Sequence, residues 1–240
     1  SELEEVAELL KRSKELIDEV EERIRRLATE SLRFLDEVVR RIRELLTRLL
    51  KEVRDSGVPD ELIELIERVI RLIEKVLEDI KRLIEKNIEL AERVLEAIKR
   101  LVEEDIKLLI EVLRRKEEGR PEKDVKELLK RVEESVKRSL TEIRKLLEEV
   151  RKSVERTLEE VKKLAEDVLR LVEEVLKRAK DRGVDERLLK KTEDVVREIL
   201  RLIEEVLRTH AEIIREILEL IERLLELHKT LVDRLLERIE

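Results

Sequence analysis

Residues 209–230 read THAEIIREILELIERLLELHKT, and the spacing in this stretch decides the fold. Ile213, Ile217, Ile221 and Leu224 recur at three- and four-residue steps with charged residues between them. That is the period of a single buried face on an α-helix. The stretch also holds the chain's two histidines, His210 and His228, related as positions i and i+18. At ~100° per residue this interval makes five whole turns, so both imidazoles lie on one line along the helix. The aliphatic stripe, extended by Ile203, Val206 and Leu231, runs through both. Imidazoles on a buried face need polar partners, and those must come from the rest of the chain.

The same period fills almost all of the 240 residues. Charged residues make up 50%, and there are only 3 Gly and 2 Pro. Charge at about twice the usual ~25%, with few turn residues, is the composition of long amphipathic helices. Phe34 stands alone among Phe, Trp and Tyr positions, and Cys and Met are missing, so the core is one of Leu, Ile and Val. Phe34 reads as a core or edge filler.

Helix 1 opens on a capping box, Ser1-Glu2-Leu3-Glu4, and carries Leu3, Val6, Leu10, Ile17, Val20, Ile24 and onward to Leu45, Leu49 and Val53 on one face. Asp55-Ser56-Gly57-Val58-Pro59 stops it, with Gly57 suited to a left-handed C′ position and Pro59 to the start of the next helix. Glu118-Gly119-Arg120-Pro121 repeats that logic. Asp181-Arg182-Gly183-Val184-Asp185 supplies a third stop, with Asp185 as the following N-cap. The expected helices are about 2–55, 59–117, 121–180 and 185–239, each roughly 80–90 Å long at 1.5 Å per residue.

Loops this short place sequential helices antiparallel. The expected fold is all-α, a single-chain antiparallel up-down-up-down four-helix bundle with very long, nearly straight helices, forming one domain over 1–240. DSGVPDE and DRGVDER resemble each other while EEGRPEK differs, which suggests hairpin halves 1–118 and 122–240.

Antiparallel pairing places polar residues of the other helices at the heights of the two histidines. One layer gathers Ser31 (with Thr29 as an alternative), Asn87, Ser153, Thr157 and His210. A second gathers Ser13, Asp105, Ser135, Ser139 and His228, each reached from its counterpart by the same i, i±18 step. Thr47 and Thr192 form a partial third level. His210 is expected to meet Asn87, and His228 to meet Asp105. Buried polar groups left without partners cost a few kcal/mol, so a layer of them resists any sliding of one helix past another. A repeat at this interval has no angular drift, unlike a heptad at ~20° per repeat, and so predicts untwisted helices.

Gly-Pro and Gly-Val-Asp loops, capped helices, an aliphatic core and repeated polar layers together resemble de novo designed helical bundles with buried hydrogen-bond networks. The nearest kind is the designed heterodimer of helical hairpins, here joined into one chain. The resemblance covers the whole chain. It implies a structural, coiled-coil-like bundle with no natural substrate. The alternatives are a binding module or fused heterodimer, with or without a histidine-dependent pH response, and a natural coiled-coil-like scaffold.

Chemistry fares less well. Asp105, His228 and Ser135 or Ser139 have the residue types of a hydrolase triad, but continuous helices leave no free N–H groups for an oxyanion hole. His210 and His228 are ~27 Å apart by helix rise and cannot share an ion. Neither belongs to an E-x-x-H pair, since Leu207 and Leu225 stand three positions before them. No catalytic, metal or cofactor site is expected. A net charge of −7, from 63 acidic and 56 basic residues interspersed throughout, gives no basic face for nucleic acid. The longest uncharged run, Ser56–Pro59, is too short for a membrane span or a signal-peptide core. The expectation is a soluble monomer that needs no partner, with a hairpin-swapped dimer as the variant form. Recombinant cytoplasmic expression is the expected source.

Overall fold

The computed structural model describes the backbone of residues 2–239, and side chains except those of residues 2, 3, 6, 10, 238 and 239. The capping box at Ser1 and the core positions Leu3, Val6 and Leu10 therefore lie outside the described residues. Four helices follow one another: α1 (Glu2–Asp55), α2 (Asp60–Glu117), α3 (Glu122–Asp181) and α4 (Glu186–Ile239). No strand occurs among the described residues. The fold is all-α, a bundle of four long helices.

The helix ends follow from the loop residues. Pro59 and Pro121 stand one residue before α2 and α3 rather than inside them. The Pro59 carbonyl accepts from the N–H groups of Leu62 and Ile63 at 3.0 and 3.2 Å, and Pro121 does the same for Asp124 and Val125 at 3.0 and 3.4 Å. Each proline is thus the capping residue, a place where its missing N–H leaves no donor without an acceptor. Asp185 caps α4, its Oδ1 accepting the Arg187 N–H at 3.1 Å.

Two C-termini close as Schellman motifs. At the end of α2 the Arg120 N–H bonds Arg115 O at 3.2 Å and the Gly119 N–H bonds Lys116 O at 3.3 Å. At the end of α3, Val184 bonds Ala179 O and Gly183 bonds Lys180 O, both at 3.1 Å. Gly119 and Gly183 have φ of 71° and 73°, a left-handed conformation that glycine adopts without Cβ strain. The end of α1 differs, because the Ser56 hydroxyl donates to Val53 O at 2.7 Å.

Inter-residue contacts divide the chain into two compact units. The first comprises residues 1–28, 88–152 and 214–240; the second comprises 29–87 and 153–213. Each unit takes one segment from every helix, so neither coincides with a hairpin half.

In the second unit the core is built from side chains such as Leu35, Ile42, Ile73, Ile80, Ile84 and Ile199, all under 2% exposed. Burying each stabilises the fold by about 2–3 kcal/mol. Here α1 and α4 run antiparallel: Ser31 meets His210, and Glu52 pairs with Lys191 at 2.6 Å. The loop-side ends of α1 and α2 are joined by Arg54 and Glu67 at 2.7 Å.

In the first unit Ile24, Ile98, Leu109, Ile143, Ile214 and Ile217 are equally enclosed. Arg23 of α1 pairs with Glu216 of α4 at 2.7 Å, Lys99 of α2 pairs with Glu21 of α1, and Arg151 of α3 pairs with Glu222 of α4. The Lys99 hydrogen bond holds the Glu21 carboxyl below its ordinary range and raises the Lys99 ammonium in turn.

Some stripe residues sit on the flanks. Val20, Leu45, Ile66, Leu171 and Leu231 are half-buried, as is Phe34. At Leu45 the reason is local: the buried line of α1 passes through Ile42, Leu46, Leu49 and Val53. No helix among the described residues is long and apolar enough to cross a membrane.

Candidate functional site

The second unit brings Ser31, Asn87, Ser153, Thr157 and His210 together from all four helices. Asn87, at 0% exposure, stands at the middle. Its Nδ2 donates to His210 Nε2 at 3.1 Å and to Thr157 Oγ1 at 3.3 Å. Its Oδ1 accepts from the Ser153 hydroxyl at 2.8 Å. His210 Nδ1 lies 3.3 Å from Ser31 Oγ, and the Thr157 hydroxyl donates back along its helix to Ser153 O at 2.8 Å. Thr29, the alternative to Ser31, is exposed.

These bonds have a single consistent direction. Because Asn87 supplies a hydrogen to Nε2, the neutral ring must carry its own hydrogen on Nδ1, from where it is donated to Ser31. A second hydrogen on the ring would face the Asn87 amide hydrogens. Burial pushes the His210 imidazole down from its ordinary 6.5 to about 4, since charging it would require taking an imidazolium out of water.

The first unit holds Asp105 and His228. His228 Nε2 and Asp105 Oδ2 are 2.6 Å apart, with side-chain exposures of 3% and 0%. Around them the arrangement differs from the Asn87 layer. Ser13, Ser135 and Ser139 are half-buried, and no hydrogen bond joins them to the pair. Among the described residues, Asp105 Oδ1 and His228 Nδ1 are buried side-chain atoms without a hydrogen-bond partner. Five residues meet in one layer, but only two in the other.

The partial third level is not a layer. Thr192 is buried and donates to Leu188 O of its own helix at 2.9 Å. Thr47 is exposed and donates to Arg43 O at 2.8 Å, which corrects its expected place in the interior. The reason is angular. At 100° per residue, position 47 points roughly 130° away from the mean direction of Ile42, Leu46, Leu49 and Val53. Height along the helix matched Thr192, but facing did not.

Chemically, the enclosed Asp105–His228 pair has two members of a hydrolase triad, but at 3% and 0% exposure it presents no surface to a substrate. The helical backbone around it is hydrogen-bonded within itself. Among the described residues no group of three or more His, Cys, Asp or Glu side chains is placed to hold a metal ion.

The expected Asn87–His210 and Asp105–His228 contacts are both present, and what spacing left open is the pattern of the bonds as a set. Ser31–His210, Asn87–His210, Asn87–Thr157, Ser153–Asn87 and Asp105–His228 each join the α1–α2 hairpin to the α3–α4 hairpin. Spacing places residues at a height, whereas which of them touch depends on how the four helices are arranged around the core.

No protein-family model matches the chain, and neither does any curated protein. Among solved structures, a computationally designed three-helix bundle is similar at 20% identity and a TM-score of 0.44, over 82% of this chain and 92% of that one. Similarity at that level carries no information about what the chain does.

Proposed function

We propose that this chain is a designed structural bundle without a natural catalytic activity, in which buried polar side chains fix the register of the helices. The observation that carries this reading is the closed set of hydrogen bonds around Asn87 and His210, drawn from four helices. Leu, Ile and Val contacts can re-form after a helix slides by one turn, about 5.4 Å. The bonds to Asn87 cannot, and each buried donor or acceptor stranded by the slide costs about 1–3 kcal/mol. The absence of Cys, Met, Trp and Tyr from 240 residues and the i, i±18 correspondence of polar positions support a designed origin. This role requires no cofactor, nucleic acid, membrane or partner chain.

The test is to replace Ser31, Asn87, Ser153, Thr157 and His210 together by aliphatic residues of similar volume. Distances between spin labels on α1 and α4 and the mass in solution would then be measured. The expected variant keeps its helicity and is at least as resistant to heat, because a satisfied polar layer replaced by packed hydrocarbon is often neutral or stabilising. Its distance distribution splits or broadens, or larger assemblies form. A variant with one sharp distance and unchanged mass would refute the reading.

A second reading has its own support, namely that among the described residues the five side-chain hydrogen bonds joining helices in the two polar clusters all cross from one hairpin to the other. On that reading the chain is a binding module, two complementary hairpins that recognise each other and are joined at 118–121.

A further inference from the structure

Asp105 Oδ1 and His228 Nδ1 are buried atoms without partners, and an uncompensated carboxylate oxygen in a core is costly. The Asn87 layer shows what their partners should be. There Ser153 holds the side-chain oxygen of Asn87, and Ser31 holds Nδ1 of His210. Asn87 to Asp105 and His210 to His228 are both forward steps from i to i+18. On the antiparallel helices α1 and α3 the equivalent step is backward, from Ser31 to Ser13 and from Ser153 to Ser135. Five whole turns bring no rotation, so each serine faces as its counterpart does. Ser13 and Ser135 are half-buried, and so is Ser153, which is already engaged with Asn87. A serine hydroxyl has three staggered positions available, so a turn about χ1 redirects it without moving the backbone.

The exchange of Asn87 for Asp105 also reverses the hydrogens. Asn87 gives a hydrogen to His210 Nε2, which places the ring hydrogen on Nδ1. A carboxylate has none to give, so His228 Nε2 donates its own hydrogen to Asp105 Oδ2. Nδ1 of the neutral ring is then an acceptor, and a hydroxyl can serve it by donating where Ser31 accepts.

We propose that Ser135 Oγ donates to Asp105 Oδ1 and Ser13 Oγ donates to His228 Nδ1, so that the first unit contains a hydrogen-bonded layer in which bonding through the imidazole runs in the opposite direction to that in the second. This extends the structural reading above by naming two positioning residues and the tautomer they hold.

The experiment is a two-bond proton–nitrogen correlation of both imidazoles in the full chain at pH 8, with Ser13→Ala, Ser135→Ala and Ser135→Thr. His210 is expected to carry its hydrogen on Nδ1 and His228 on Nε2. Ser13→Ala moves the His228 Nδ1 resonance and leaves His210 in place. Ser135→Ala lowers the folding equilibrium constant about tenfold, and Ser135→Thr, which keeps the hydroxyl, restores it. Identical tautomers, an unmoved His228 Nδ1 in Ser13→Ala, or unchanged unfolding of Ser135→Ala would each overturn the proposal. Its failure is separable from that of the register reading, which is decided by inter-helix distances rather than by nitrogen resonances.

Discussion

At the scale of single residues, His210 couples the core to pH. Its folded value of about 4 lies below its ordinary 6.5, so the unfolded chain binds the proton more tightly. The contribution of the neutral ring is fully present above pH 6.5 and is lost as pH falls towards 4. Moving from pH 7.5 to pH 4.5 should remove about 2–3 kcal/mol through this group. Guanidinium unfolding of the parent and of His210→Leu at both pH values checks it: the variant should lose less stability on acidification by about that amount. Equal losses in the two proteins would mean that His210 does not carry the effect. Asn87, Ser153, Thr157 and Ser31 were legible from the sequence because a polar residue inside an aliphatic stripe stands out at helical period. Thr47 shares the height of Thr192 but faces away from the core, and height alone does not give facing. Ser13 and Ser135 have the right position, but a sequence does not specify which rotamer a hydroxyl occupies.

At the scale of elements, the helices end where they do because the loop residues satisfy the last free backbone groups. Asp185→Ala removes the acceptor for the Arg187 N–H and should cost about 1 kcal/mol, while Asp185→Asn, which keeps an oxygen, should cost little. Gly119→Ala should cost about 1–2 kcal/mol, and the cause is the backbone. A Cβ at Gly119 meets nothing within 4 Å, but φ of 71° is unfavourable for any L side chain. Denaturant midpoints of these three variants provide the measurement, and an unaffected Gly119→Ala would contradict the strain argument. Helix extents were readable to within about a residue because Gly and Pro are so rare here that each one marks a boundary. The one-residue differences fall at Pro59, Pro121 and Asp185, each of which caps its helix from just outside the first turn, and at Asp181, which extends α3.

At the scale of the whole molecule, the hydrogen bonds of the two polar clusters run between the α1–α2 and α3–α4 hairpins, which supports the proposed reading of two complementary halves. Residues 118–121 are exposed, so a specific protease site inserted there can be cut in the folded protein. The two halves are expected to stay together after cleavage, with an unfolding temperature that now rises with protein concentration, as mass action requires. Halves that separate at micromolar concentration would count against mutual recognition. The surface ion pairs add little to this. Arg26–Glu22 and Arg93–Glu89 link neighbouring turns of one helix, remain largely exposed, and belong to a class worth a few tenths of a kcal/mol.

The sequence alone determined the secondary structure, the helix boundaries and the heights of the polar residues, because helical period and rare breakers are local properties of the chain. It also determined that Asn87 and Asp105 lie on the core face, since five whole turns bring a helix back to the same direction. Spacing also paired Asn87 with His210 and Asp105 with His228, whereas tertiary structure decided which serines and threonines join them. The direction of hydrogen bonding through His210 depends on an amide brought from α2, and its lowered pKa depends on burial by all four helices. The division into two units, each drawing on every helix, also depends on contacts between residues far apart in sequence. Such contacts depend on packing around a shared core, which no local spacing encodes.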